Sequence, residues 1–194
     1  MRKGEVTRQR IIAQAAPIFN QRGFAGCSMQ DVMEATGLEK GGLYRHFSGK
    51  EELAAEAFHY AVSRAEKIRF DNLDSTRGAL HQLRQFIDRF VNVRSEVPGG
   101  CAIFNTAIEE DDGNPMLRDL ALKALQDWKN RLTKIVQEGI RTGEIRKGTV
   151  PRRVTNVIIA ALEGALGISR LEGTKTALED AQTALIGFLD SIAA

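Results

Sequence analysis

The sequence predicts an all-α protein of about nine helices. Apolar residues recur at helical spacing along most of its 194 residues, and glycine and proline lie mostly between such segments. No segment alternates in the way typical of a half-buried strand. The chain is long enough for a small domain joined to a larger one.

The first four predicted helices are short and closely spaced. Pro17 is expected to kink the first and Gly23 to end it. A Ser-x-x-acid pattern at Ser28 opens the second, and Ser48 with Glu51 forms a capping box that opens the fourth. The predicted ranges are 7–22, 28–36, 40–47 and 48–71.

The remaining predicted helices are longer and amphipathic. A Pro-Gly-Gly breaker at residues 98–100 ends the fifth, and Asn114 caps a seventh whose first residue is Pro115. Thr176 and Glu179 form a capping box for the ninth. The predicted ranges are 76–95, 101–110, 115–141, a helix from 151, and 176–192. The change from short to long helices predicts two domains, residues 1–50 and 51–194.

Charge is distributed unevenly along the chain. The net charge is +2, but residues 1–50 carry eight Lys or Arg against four Asp or Glu, whereas residues 51–194 carry nineteen against twenty-one. The positive charge therefore lies in the first quarter of the sequence. This asymmetry favours a polyanionic partner for the N-terminal domain.

The sequence favours neither a membrane protein nor a secreted protein. The best apolar run, residues 157–168, is too short to span a bilayer and contains Glu163, which predicts a buried helix. The basic N-terminus lacks the long apolar stretch of a secretory signal, so a cytoplasmic protein without a membrane partner is expected.

Enzyme and metal classes also find no support. The sequence contains no HExxH, GxSxG, P-loop or dinucleotide-binding motif. We therefore expect that the protein is not an enzyme and has no cofactor. Cys27 and Cys101 are too few for a disulfide framework and have no metal-ligand spacing with the three histidines, so no metal is expected. Both are expected to be small buried hydrophobic residues. Oxidant sensing by Cys101 or Cys27 stays open as an alternative.

Two short helices joined by a turn at Gly37 have the size and turn chemistry of a helix-turn-helix. Its second helix begins with Gly41 and Gly42, although a glycine costs a helix about 1 kcal/mol relative to alanine. A missing side chain permits close approach of the backbone to phosphates or base edges, and a helix N-terminus favours anions. The pair therefore predicts contact with nucleic acid.

Residues 7–58 resemble the DNA-binding domain of the tetracycline-repressor (TetR) family of bacterial regulators. The family pattern G-x-x-K-G-x-L-Y-x-H-F-x-x-K-E-x-L is matched by Gly37, Lys40, Gly41, Leu43, Tyr44, His46, Phe47, Lys50, Glu51 and Leu53. Glu39 departs from it, because family members often have serine or threonine there. A carboxylate can cap a helix, but it would repel a nearby phosphate.

The resemblance implies roles for individual residues. It implies contacts to the DNA backbone from Ser28, Tyr44, His46 and Lys50, and contacts to bases from Gln30, Lys40, Gly42 and Arg45, with Gly41 beside them. For Phe47, a place in the core of the three-helix unit is the better interpretation.

The resemblance also implies a larger helical domain that binds a small-molecule effector and forms a homodimer through the last two helices. The expected dimer residues, for which the core of a single monomer is the alternative, are Val157, Ala161, Gly164, Ala165, Ile168, Leu178, Ala181, Leu185 and Phe188. The expected effector residues are Phe86, Phe90, Cys101, Phe104, Asn105, Glu109, Leu125 and Trp128, for each of which ordinary core is the alternative.

These observations predict a regulator that binds a palindromic double-stranded DNA operator, since a two-fold dimer presents two equivalent reading helices. Repression is the common role in the family. The alternative is a helical adaptor that binds a protein partner and has only non-specific affinity for polyanions.

Overall fold

The computed structural model describes residues 3–194, so Met1 and Arg2 of the predicted N-terminal domain lie outside the described part. Residues 3–194 form nine α-helices and a short 3-10 turn, with no strand, which confirms the all-α prediction. The helices are α1 (Lys3–Arg22), α2 (Met29–Thr36), α3 (Lys40–Tyr44), α4 (Lys50–Phe70), α5 (Ala79–Asn92), α6 (Ala102–Glu109), α7 (Pro115–Thr142), α8 (Pro151–Glu172) and α9 (Thr176–Ile192).

The chain divides into two compact units. Unit 1 contains the chain up to residue 66 together with residues 95–124, and unit 2 contains residues 67–94 and 125–194. Two of the three divisions fall inside α4 and α7, and the third falls between α5 and α6. The boundary predicted between residues 50 and 51 stays a prediction, while α6 belongs to the same compact unit as α1, α2 and α3.

Unit 1 is built on a core shared by α1 to α4. Leu43 and Phe47 are almost fully buried in it, so the interpretation of Phe47 as core is confirmed. The guanidinium of Arg8 lies 4.7 Å from the centre of the Phe47 ring and contacts the carboxylates of Glu52 and Glu56. The other buried members of this core are Ile11, Ile12, Ala15, Ala16, Cys27, Val32, Leu53, Ala57, Ala61 and Val97.

Several helix limits differ from the prediction. Helix α1 begins at Lys3 and continues through Pro17, so it is longer than expected. Helix α3 ends at Tyr44, and the turn that follows is held by hydrogen bonds from the N–H groups of His46 and Phe47 to the Leu43 carbonyl, at 3.0 and 3.2 Å. The first of these is a 3-10 bond, which tightens the end of a helix.

The caps show which patterns were informative. Asn114 caps α7 by accepting from the N–H groups of the second and third helical residues, as predicted. At α4 the partner of Ser48 is Glu52 rather than Glu51, through both the Ser48 N–H and its hydroxyl at 2.8 Å. The predicted capping box at Thr176 is wrong, because Lys175 is the N-cap and gives no side-chain bond.

Unit 2 is organised by packing among α5, α8 and α9. The Glu144 carboxylate accepts the N–H groups of Ala79 and Leu80 at 2.5 and 3.0 Å, and thereby caps the start of α5. Fully or nearly fully buried side chains in this unit include Leu83, Phe86, Ile87, Trp128, Leu132, Val136, Ile145, Ile158, Leu162 and Leu189.

Helix α8 is the single helix of the described chain that is long and apolar enough, by composition alone, to cross a membrane. This is weak evidence, because a core helix of a soluble protein passes the same test. Val154, Ile158 and Leu162 are buried, and α8 packs against α9. The helix is therefore accounted for by packing within the unit, as the sequence predicted.

Candidate nucleic-acid interface

The start of α3 presents bare backbone on an open surface. Gly41 is exposed, and a Cβ atom built on it would meet no atom within 4 Å. A Cβ on Gly42 would lie 3.6 Å from the Leu38 side chain, which is ordinary van der Waals contact. Neither glycine has the positive φ that favours glycine. The fold therefore requires neither glycine at these positions.

Helix α3 has one face buried in the core of unit 1 and the opposite face turned toward solvent. Leu43 is buried in the core of unit 1, whereas Lys40, Arg45 and Tyr44 are exposed, with 44% of Tyr44 accessible. The ammonium of Lys40 lies 6.0 Å from the centre of the Tyr44 ring. The ammonium of Lys40, the phenol of Tyr44 and the guanidinium of Arg45, the residue just after α3, are therefore exposed to solvent. Glu39 makes no side-chain cap bond to the first turn of α3.

Lys50 and His46 flank this surface. The Lys50 ammonium lies 4.1 Å from the centre of the Phe24 ring, which is a cation-π contact. Lys50 and His46 are each half-buried. Because Lys50 is the first residue of α4 and Phe24 lies in the α1–α2 turn, this contact fixes a cation between two elements of unit 1.

Ser28 and Gln30 are already engaged within α2. The Ser28 side chain accepts the Asp31 N–H at 3.1 Å and donates to the Asp31 carboxylate, which also accepts the Ser28 N–H at 2.7 Å. These bonds, and the Arg22 guanidinium at 2.7 Å, hold the pKa of Asp31 below its usual range. Gln30 donates to Glu34 at 3.1 Å. The hydroxyl of Ser28 is thus committed to capping.

The turn between α1 and α2 is held by a residue from α6. The two carboxylate oxygens of Glu109 accept the N–H groups of Phe24 and Ala25, each at 2.9 Å. Gly23 has φ +76°, and a Cβ on it would lie 2.4 Å from Glu109 Oε1. Sequence analysis missed this contact because its partners are separated by 85 residues and no local pattern joins them.

Asn105 has a structural role as well. Its amide donates to the Asn20 carbonyl at 3.0 Å and to the Gly99 carbonyl at 2.8 Å. Asn20 in turn donates to the Pro98 carbonyl at 2.8 Å. Asn105 and Glu109 bind backbone groups within unit 1, and their predicted role as polar features of an effector site stays a prediction.

The other expected effector residues fall into separate groups. Cys101 and Phe104 belong to unit 1, where the Cys101 thiol is buried. Phe86, Phe90 and Trp128 belong to unit 2, as does the half-buried Leu125. Burial also raises the pKa of the Cys27 thiol. Both cysteines are buried, as predicted.

An aromatic cluster occupies the core of unit 2. The centre of the Phe70 ring lies 4.8 Å from that of Phe86 and 5.7 Å from that of Trp128. The buried guanidinium of Arg69 lies 4.4 Å from the Phe90 ring and 5.0 Å from the Trp128 ring. Sequence analysis found three of these aromatic residues but missed Phe70 and its neighbouring arginine.

The expected dimer residues divide into exposed and buried sets. Val157 and Ile168 are 44% and 49% exposed, and Leu171, which the prediction omitted, is 91% exposed. Gly164 is also exposed, and Ala161, Ala181 and Phe188 are half-buried. Ala165, Leu178 and Leu185 are buried inside unit 2, and their predicted place in a dimer interface stays a prediction. They pack as core of their own chain rather than on its surface.

No group of three or more His, Cys, Asp or Glu side chains placed to hold a metal ion occurs within residues 3–194.

Comparison with known proteins decides the family. Residues 11–57 match the family model "Bacterial regulatory proteins, tetR family", and residues 79–185 match "Tetracyclin repressor-like, C-terminal domain". This chain belongs to the TetR family. The two matches together include most of the chain, so the resemblance seen in residues 7–58 extends into the helical domain that follows.

Solved TetR-family structures are similar over the full length. A TetR transcriptional regulator from Chloroflexus aurantiacus J-10-FL is 42% identical with a TM-score of 0.94, covering 100% of this chain and 98% of that one. A TetR-family regulator from Cytophaga hutchinsonii is 32% identical with a TM-score of 0.92 and the same coverage. Both confirm an N-terminal helix-turn-helix followed by a larger helical domain.

Curated relatives carry the same class of function. The "HTH-type transcriptional repressor DhaR" of Mycobacterium sp. (strain GP1) is 25% identical over 173 residues, which is 89% of this chain and 86% of that protein. The family and its members identify the chain as a DNA-binding transcriptional regulator, a class whose members are generally not enzymes.

Proposed function

We propose that this TetR-family regulator is a cytoplasmic repressor that binds a palindromic operator as a homodimer and is released by a small-molecule effector. The observation that carries the proposal is the open backbone at Gly41 and Gly42, which nothing in the fold requires. Repression is further supported by the name of DhaR, a repressor that matches nearly the whole chain.

The proposed DNA contacts follow from the exposed side of α3. Lys40, Gly42 and Arg45 face base edges, with Gly41 allowing the backbone close to the duplex. Gln30 reaches bases from α2 after exchanging its bond to Glu34.

The proposed phosphate contacts come from Tyr44, His46 and Lys50, and they set the register of the protein on the duplex. Ser28 acts chiefly by capping α2, because its hydroxyl already donates to the Asp31 carboxylate. A phosphate contact from Ser28 would require exchange of that bond.

The proposed homodimer uses the exposed side of α8. Val157, Ala161, Gly164, Ile168 and Leu171 recur at intervals of three and four residues and so share one face of the helix. A row of exposed apolar and small residues is typical of an interaction surface. Sedimentation of an Ile168→Asp variant tests this, and a variant that stays dimeric would contradict the interface.

The DNA assignment is tested by fluorescence anisotropy with fragments that flank the protein's own gene. We expect one fragment to bind specifically. For each unit rise in the logarithm of the salt concentration, the logarithm of its association constant should fall by about 0.9 per neutralised phosphate. Lys50→Ala should reduce that slope by about 0.9, whereas Tyr44→Phe should weaken binding and leave the slope unchanged, because a phenol releases no counterion.

Lys147→Ala is the matched control, since Lys147 is an exposed lysine of unit 2 outside the proposed interface. Equal affinity for unrelated DNA would refute the proposal, as would a salt dependence of binding that Lys50→Ala leaves unchanged.

A further inference from the structure

Unit 2 contains an open cavity of about 300 Å³ that none of the predicted effector residues lines. Its lining comes from the end of α4, the segment after it, α5 and α7. Six residues form the lining: Phe70, Asn72, Leu73, Gln82, Arg131 and Ile135. This volume lies at the lower end of the range of small-molecule sites in proteins.

The lining has the composition of a ligand site. Three side chains are apolar, two are amides and one, Arg131, is charged. Small-molecule sites are mainly apolar and contain a few polar groups that fix the orientation of the ligand. The single charge is positive, so the cavity favours an anion and disfavours a cation.

Arg131 is available to a ligand. Its guanidinium lies 4.1 Å from the centre of the Phe70 ring, a stacked arrangement that holds the charged group at the cavity wall. Within residues 3–194, no carboxylate oxygen lies within 4.0 Å of its nitrogen atoms. A guanidinium binds a carboxylate through two parallel hydrogen bonds, and this one has its donors unused by such a partner.

The turn that carries Asn72 is held in an uncommon conformation. Asn72 has φ +54°, the one positive φ among non-glycine residues of the described chain. The Arg89 guanidinium donates to the carbonyls of Asp71 and Asn72, at 2.5 and 3.2 Å, and so stabilises the turn. Asparagine adopts this left-handed conformation more readily than other non-glycine residues, and it commonly does so just after a helix end. The backbone that carries Asn72 is thereby held beside the cavity.

We propose that this cavity binds a small organic monoanion with an apolar, preferably planar, body, and that this ligand is the effector. The carboxylate pairs with Arg131 while the body packs on Phe70, Leu73 and Ile135. The amides of Asn72 and Gln82 bond to the remaining polar atoms of the ligand.

The role as effector rests on the proposed repressor function. Phe70 is the last residue of α4 and Lys50 is the first, so a ligand in contact with Phe70 touches the helix that carries a proposed phosphate contact. A ligand can release DNA only if it prefers the conformation that does not bind the operator.

The site is tested with 3-phenylpropanoate, and with 3-phenylpropanamide as its neutral counterpart. The chain contains a single tryptophan, Trp128, whose ring is in edge contact with Phe70. We expect a saturable change in tryptophan fluorescence with the acid, and binding of the amide weaker by about tenfold or more, because the amide cannot form a charge-assisted pair.

Variants separate the charge from general effects. Arg131→Met should weaken binding of the acid by about tenfold or more and leave the affinity for the amide unchanged. Arg131→Lys keeps the positive charge and should therefore lose less affinity for the acid. Arg152→Met is the control, since Arg152 is exposed and does not line the cavity. Circular dichroism establishes that each variant is folded.

Equal binding of acid and amide, no saturable binding of the acid, or full affinity in Arg131→Met would overturn the site. Binding of the operator by the ligand-free protein is measured separately. A protein that does not bind the operator would contradict the repressor function. The fluorescence titration would still show whether the ligand site exists. Retention of the operator by the ligand-saturated protein would overturn the effector role.

Discussion

Two glycine positions in unit 1, at the α1–α2 turn and at the start of α3, look alike in sequence but exist for different reasons. Gly23 has a positive φ, and a Cβ there would collide with the Glu109 carboxylate. Gly41 has an ordinary φ and open space around it. The fold therefore requires Gly23, whereas the requirement at Gly41 comes from outside the chain. Comparing the stability and DNA affinity of variants at the two positions tests this difference.

Gly23→Ala should have the largest effect on stability. We expect a loss of roughly 2 to 3 kcal/mol in the free energy of unfolding, because the left-handed backbone is strained with a Cβ and the Glu109 bonds are displaced. Urea denaturation measures it. Gly173→Ala is the control, because Gly173 has φ +70° but no atom lies within 4 Å of the added Cβ. This variant should lose only the part of the free energy of unfolding that comes from backbone strain.

Glu109→Ala should cost about 1.5 kcal/mol in the free energy of unfolding, at the lower end of the range for bonds to a charged group, because the carboxylate is exposed. In this background Gly23→Ala should cost less than in the parent chain, since the Cβ no longer displaces the carboxylate. A double-mutant cycle gives the coupling. Strict additivity would show that Glu109 does not hold the turn.

Acid should weaken the cap of α2. The pKa of Asp31 is lowered by its bonds to Ser28 and by Arg22. A carboxyl whose folded pKa is depressed adds stability above its unfolded value of 3.8, and that stability is lost as the pH falls through the lower folded value. The stability difference between the parent and Asp31→Asn should therefore shrink below about pH 4. A constant difference down to pH 2 would contradict this assignment.

Much of the fold was predictable because its signals are local. Helical periodicity, the Ser28 and Asn114 caps and the helix-turn-helix spacing all act within a few residues, and the structure confirms them. The family resemblance supplied the face of α3 that carries Lys40 and Arg45, which the structure leaves exposed.

The features that the sequence did not predict depend on long-range contacts. Glu109 and Asn105 look like free polar residues in sequence, yet they bind backbone groups 85 residues away. Leu178 and Leu185 are as apolar as an interface requires, but periodicity does not distinguish the inner face of a helix from a face covered by a partner. The lining of the unit 2 cavity comes from three separate segments of the chain, so no local pattern marks it.

The most direct test measures DNA affinity and the free energy of unfolding together for Gly41→Ala. Since alanine is the better helix former and its Cβ meets no atom, we predict a gain of a few tenths to about 1 kcal/mol in stability. We also predict a loss of about tenfold or more in operator affinity, because the methyl group holds the backbone away from the duplex. Gly187→Ala, at an open helical position of α9, should keep full affinity. Unchanged operator affinity in Gly41→Ala would contradict the account that the start of α3 lies against DNA.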